Sequence, residues 1–221
     1  MPVTIFSAKP TIRRFRLLNR SAHQLPDIPY GAWIAIPVAA WLLAWIAQIH
    51  LPVFDYIPGV AIIFLPAGVR TLSVLIFGWR GALGVAIGTL ITYLWFFDDI
   101  HETVTLFHGV MLAITSGFSA LLMLKLVQWW QHLPTDLSTL RLKHILIIVI
   151  SQGLLSAGLH QLIYHALPIS PFYETQPLHI CLSGWLAMAV GDALGSMILL
   201  YAIAIVARWA LQRATYSEPS S

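Results

Sequence analysis

Two charged residues stand inside otherwise apolar runs, Arg70 and Asp192. A charge at mid-membrane costs roughly 2.5–3.5 kcal/mol on insertion scales, so it faces protein or water and finds a partner. These are the only opposite charges embedded in such runs, and they are expected to pair, directly or through water. The pair has two natural uses, pinning two helices together or holding a ligand or proton. Pro66 and Gly68 lie just before Arg70, and Gly191 and Gly195 flank Asp192. The glycines form a small-xxx-small pattern that allows close approach of helices, as do Gly84 and Gly88.

Histidine is the second source of chemistry. Of nine, His50, His101, His108, His160, His165 and His179 fall toward one side of the apolar runs, together with Asp98, Asp99, Glu102 and Glu174. Imidazole and carboxylate together suit a divalent metal, and they also suit proton sensing near neutral pH. The candidate set is His108, His160, Asp98, Asp99, His101 and Glu102. Its spacing is not a ligand motif, since His160 and His165 point about 140° apart on a helix. The bland alternative is interfacial histidines hydrogen-bonded to loops. A bis-His haem through His108 and His160 is conceivable, but the sequence requires no cofactor.

Polar residues recur at helical spacing around these positions. Gln152, Ser156, His160 and Tyr164 are four apart, and His108, Thr115 and Ser119 share a face. Such faces look inward, at a helix contact or a wet cavity. Gly117-Phe-Ser119-Ala faintly resembles an intramembrane serine protease. A nucleophilic serine needs a histidine within hydrogen-bond reach. Ser119 lies toward the opposite side from the histidines, so no enzyme is expected.

The elements that carry these residues follow from composition. The chain has 221 residues, 58% hydrophobic and 10% charged, with a formal net charge of +3. Its mean hydropathy is +0.80. A soluble domain is roughly a quarter charged, so a soluble enzyme, a disordered chain and a nucleic-acid binder are set aside. A single cysteine, Cys181, excludes an internal disulfide framework. A membrane span takes about 20 apolar residues. Six runs approach that length: 30–49, 56–77, 81–97, 103–127, 145–167 and 180–211. The third is short. The sixth is too long for one plain span, and is expected to tilt, to project beyond the bilayer or to break near Gly191-Asp192. Pro37, Pro58, Pro66 and Gly68 leave backbone groups that neighbouring helices or a cavity must satisfy.

Eleven of the twelve Lys and Arg residues fall in the N-terminal tail, the second and fourth connections and the C-terminal end. The remaining connections hold only acidic residues. This alternation predicts an all-α bundle of six transmembrane helices with both termini cytoplasmic. It divides the chain into a basic tail (1–29), a membrane domain (30–211) and a polar tail (212–221). The basic stretch at 13–20 reads as an orientation signal rather than a cleavable leader. Counting from Arg80 and Arg208, Arg70 and Asp192 differ in depth by on the order of 9 Å. Arg reach, tilt or a break near Pro66 must close that gap.

Two stretches are similar to a known family. Phe64-Leu-Pro-Ala-Gly-Val-Arg70, with Leu75-Ile-Phe-Gly-Trp-Arg-Gly-Ala-Leu-Gly-Val-Ala-Ile-Gly88, resembles the W-P-x-G … G … P … G region of bacterial membrane-associated sensor (MASE-type) domains. Trp185-Leu-Ala-Met-Ala-Val-Gly-Asp192-Ala-Leu-Gly195 resembles that family's late W … D-x-x-G helix. The match covers roughly 40 residues closely. The resemblance implies an inner-membrane sensory module of the kind found in front of histidine kinases and cyclic-di-GMP enzymes. This sequence departs from it in two respects. It has six spans where the family shows about eight by hydropathy, and no output domain follows them.

The expected protein is a six-helix bacterial inner-membrane sensor or accessory subunit, non-enzymatic, acting through a membrane or cytoplasmic protein partner. Two alternatives remain open. One is a small transporter or its substrate-binding membrane subunit, and the other is a structural assembly subunit of a membrane complex.

Overall fold

The computed structural model describes residues 29, 31–50, 55–57, 60–96, 106–166 and 178–216. The elements in order are α1 (Ala32–Ile49), β1 (Asp55–Ile57), β2 (Val60–Ala61), α2 (Leu65–Phe77), α3 (Trp79–Phe96), α4 (Leu106–Trp130), α5 (Leu142–Ala166) and α6 (Leu178–Tyr216). The two strands pair antiparallel as a small hairpin, and everything else of regular structure is helical. Among the described residues, four stretches are long and apolar enough to cross a membrane: Ala32–Ile49, Leu106–Trp130, Leu142–Tyr164 and Leu182–Ala210. Large apolar side chains such as Leu43, Trp95, Leu162 and Tyr201 stand on the outside. A surface this apolar suits hydrocarbon rather than water.

The run at 56–77 is not one helix. Strands occupy 55–57 and 60–61, and the helix begins only at Leu65. Pro66 fits this start, because proline has no N–H and is at home in the first helical turn. At 13 residues, α2 is about 20 Å long. It packs against α1, α3, α4 and α6 and is buried on all sides from Pro66 to Thr71. Around it, α1 lies on α3, α3 on α4, α4 on α5 and α5 on α6. Gly84 and Gly88 let α3 close on α1, the first against Pro37 and the second against Trp41.

The turn from α2 into α3 is a single residue. Gly78 takes φ +59, a left-handed conformation that favours glycine, and donates its N–H to the Val74 carbonyl at 3.0 Å. Beside this turn, Val74, Ala82, Ala120, Leu124, Val127 and Ile148 form one apolar cluster. A second cluster joins Trp41, Val69 and Val85.

The sixth run is one unbroken helix of 39 residues, about 58 Å long. Gly191-Asp192 does not interrupt it. Its first half packs on α5, α2 and β2, whereas residues 201–210 are exposed throughout. The polar tail expected from residue 212 is helical as far as Tyr216.

Candidate functional site: a buried polar core joining α2, α5 and α6

The site begins where α2 begins. A helix start leaves backbone N–H groups without intrahelical partners, and inside an apolar bundle each needs an acceptor. Here the Phe64 N–H donates to the Gly191 carbonyl of α6 at 3.0 Å, and the Leu65 N–H donates to Gln48 Oε1 of α1 at 3.0 Å. Pro66 has no N–H, and the Ala67 N–H donates to the Phe64 carbonyl at 3.1 Å. The segment before α2 lies against the glycines of α6. A Cβ on Gly191 would overlap the Ala61 carbonyl oxygen, and one on Gly195 would overlap that of Phe64. The Gly191/Gly195 pattern therefore seats extended backbone as well as a helix. Gly68 completes the contact, since a Cβ there would come within 2.6 Å of Leu199 Cβ and 2.9 Å of the Gly195 carbonyl.

This close approach brings Arg70 of α2 to Asp192 of α6. Arg70 Nη2 donates to Asp192 Oδ2 at 2.5 Å, and Nη1 donates to Ser156 Oγ of α5 at 2.7 Å. Arg70 is 1% exposed and Asp192 3%. Thr71, the next residue, shares its hydroxyl proton between Gln152 Oε1 of α5 at 2.7 Å and the Ala67 carbonyl of its own helix at 3.0 Å, and stands 3.2 Å from the Ser196 hydroxyl of α6. Three helices are thus tied by one contiguous set of polar side chains, all buried. Arg70 Nε and Gln152 Nε2 have no partner within it.

The set continues to His160. Its Nδ1 stands 2.8 Å from the Ser156 backbone carbonyl, which places the proton on Nδ1. Nε2 is then the acceptor for the Ser116 hydroxyl of α4 at 3.3 Å. The serine that meets a histidine is therefore Ser116, one turn from Ser119. Ser116 sits in mid-helix, where the backbone amides are spent on the helix itself. The contact is a polar tie between α4 and α5.

The depth difference of on the order of 9 Å between Arg70 and Asp192 is closed by the reach of the arginine. Gly68, two residues before Arg70, packs on Leu199 and on the Gly195 carbonyl, beyond Asp192 along α6, and the guanidinium reaches back from there to the carboxylate.

The histidine and carboxylate set is only partly placed. His108 and His160 are both buried, on α4 and α5. Asp98, Asp99, His101 and Glu102 lie outside the described residues. Among the described residues, no three His, Cys, Asp or Glu side chains gather closely enough to hold a metal ion. Among the described residues, the one carboxylate outside the helices with a clear shift is Asp136, in the turns between α4 and α5. The Ser138 backbone N–H, with that residue's hydroxyl, holds it below the usual carboxylate range.

Gln48, Thr71, Ser116 and Ser196 belong to the site and were not singled out from the sequence. Ser196 was within reach, because it follows Asp192 at helical spacing. Gln48 was not, because its role depends on where α2 starts. No family model, no curated protein and no solved structure matches the chain.

Proposed function

We propose that the protein is a non-enzymatic sensory or accessory subunit of the bacterial inner membrane. In this reading it crosses the bilayer six times with both termini in the cytoplasm, resembles the MASE-type sensor domains, and acts through a separate protein partner. The observation that carries the reading is the Arg70–Asp192 pair. It ties a short, centrally buried helix to the long α6, whose far end runs on unpacked. An ion pair shielded from water has two discrete arrangements, made and broken, and a continuous helix transmits the difference as a rigid body. A signal that biases the pair therefore moves the projecting end of α6, where Arg208 and Arg213 stand for a partner to read.

A second reading has its own support. A short helix that starts inside the bundle, with its N-terminal amides met by Gln48 and α6, is the broken-helix arrangement of midplane transport sites. Quantitative mass spectrometry of the tagged protein in mild detergent, against an untagged control, separates the two. A stoichiometric kinase or cyclase whose output changes in Arg70→Gln is expected. An energising ATPase, together with solute uptake into vesicles, would replace the sensory reading with transport.

A further inference from the structure

A groove of about 240 Å³ opens between the adjacent ends of α4 and α5. Met123, Leu126, Val127 and Trp130 line it from α4, and Ile147 and Ser151 from α5. The only hydroxyl among them, that of Ser151, is spent on the Ile147 backbone carbonyl. The walls therefore offer little but hydrocarbon contact. Binding sites for drug-sized molecules run from about 300 Å³ upward and carry several placed polar groups. This groove is smaller and nearly featureless, which suits a single acyl chain.

The mouth of the groove is different. Lys143 lies one turn before Ile147 and two before Ser151, on the same face of α5, and is exposed. Arg141 precedes it, also exposed, at the end of an ordered connection in which the Arg141 N–H donates to His144 Nδ1 at 3.1 Å. Trp129 and Trp130 stand at the rim, 77% and 63% exposed. Exposed indoles at a helix end mark the level of lipid headgroups. An apolar slot below that level with two cations above it is complementary to one class of molecule.

We propose that this groove binds an anionic phospholipid, with an acyl chain between α4 and α5 and the phosphate between Lys143 and Arg141. Basic pockets between membrane helices recognise such headgroups. The indole N–H groups of Trp129 and Trp130 supply further donors at the same level. Arg208 gives an internal control. It stands exposed on the projecting part of α6, which contributes nothing to the groove. The proposal depends on the chain lying in a bilayer and not on any sensory role.

The test uses the full chain in vesicles of phosphatidylcholine with graded phosphatidylglycerol, followed by native mass spectrometry. Flotation with the vesicles confirms insertion for each variant. One retained phosphatidylglycerol per chain is expected, in preference to phosphatidylcholine. Each basic residue near a charged headgroup is worth roughly fivefold in affinity, so Arg141→Gln with Lys143→Gln should lower the preference at least that much. Arg208→Gln should leave it unchanged. Ser151→Phe, which fills the slot, should lower retention while the vesicles still float with the protein. Equal retention of the two lipids, or an equal loss in Arg208→Gln, would overturn the proposal in favour of unspecific surface charge. A protein that fails to float would instead remove the membrane reading itself.

Discussion

Arg70 spends its hydrogen bonds unevenly. One guanidinium nitrogen meets Asp192, one meets Ser156, and Nε meets nothing. Removing the Ser156 hydroxyl therefore leaves a charged donor with a single acceptor. Hydrogen bonds between membrane helices average about 0.6 kcal/mol and reach about 1.7. Ser156→Ala is expected at the upper end of that range, and Thr71→Val, which breaks neutral contacts, at the lower. Unfolding by a denaturing detergent from a mild one measures both. Gln152→Leu removes a donor that has no partner as well as an acceptor for Thr71, so its cost should not exceed that of Thr71→Val. The two charges could be picked from the sequence because any charge inside an apolar run is expensive and needs an explanation. Thr71 could not, because a hydroxyl inside a membrane helix satisfies itself on its own backbone as readily as on a neighbour.

The helix that places Arg70 is held by its start. Gln48→Leu leaves the Leu65 N–H buried without an acceptor, which costs about 1–3 kcal/mol. Gln48→Glu keeps an oxygen in place and should recover most of the loss in melting temperature. The glycines of α6 make a second test. Gly195→Val drives a side chain into the Phe64 carbonyl and should lift the segment before α2 from α6, with lost expression or lowered melting temperature. The same change at Gly158, where a Cβ meets only Trp185 at 3.4 Å, should be mild. Hydropathy located every helix of this bundle to within a few residues except α2. A window average counts a hairpin and a short helix of apolar composition as one span. Pro66 is consistent with the late start, since proline is favoured in a first helical turn, although Pro37 inside α1 shows that a proline alone does not set one.

For the molecule as a whole, the length of α6 is the feature that decides what projects. Its 39 residues exceed any single crossing, and the ion pair fixes which part lies inside the bundle. Residues beyond the α2–α3 turn then project. In a Cys181→Ser background, a cysteine at Arg213 should react with a membrane-impermeant maleimide added to inside-out vesicles, and a cysteine at Ser196 should not. Reaction of the first only from the opposite face would reverse the orientation that the basic residues predict. The fully exposed surface of residues 201–210 was not readable from composition, which records that a residue is apolar but not whether protein or lipid covers it.

The account rests on Arg70 and Asp192 holding α2 to α6, and a double-mutant cycle tests that directly. Unfolding free energies in mild detergent would be measured for the native chain, Arg70→Gln, Asp192→Asn and the double variant. Each single change strands a buried charge and should cost about 3–5 kcal/mol, and the double variant, with no charge left to strand, should recover much of that loss. Arg70→Asp with Asp192→Arg should likewise express better than either single reversal. Losses that add, with the double variant less stable than both singles, would contradict the pairing and with it the site built upon it.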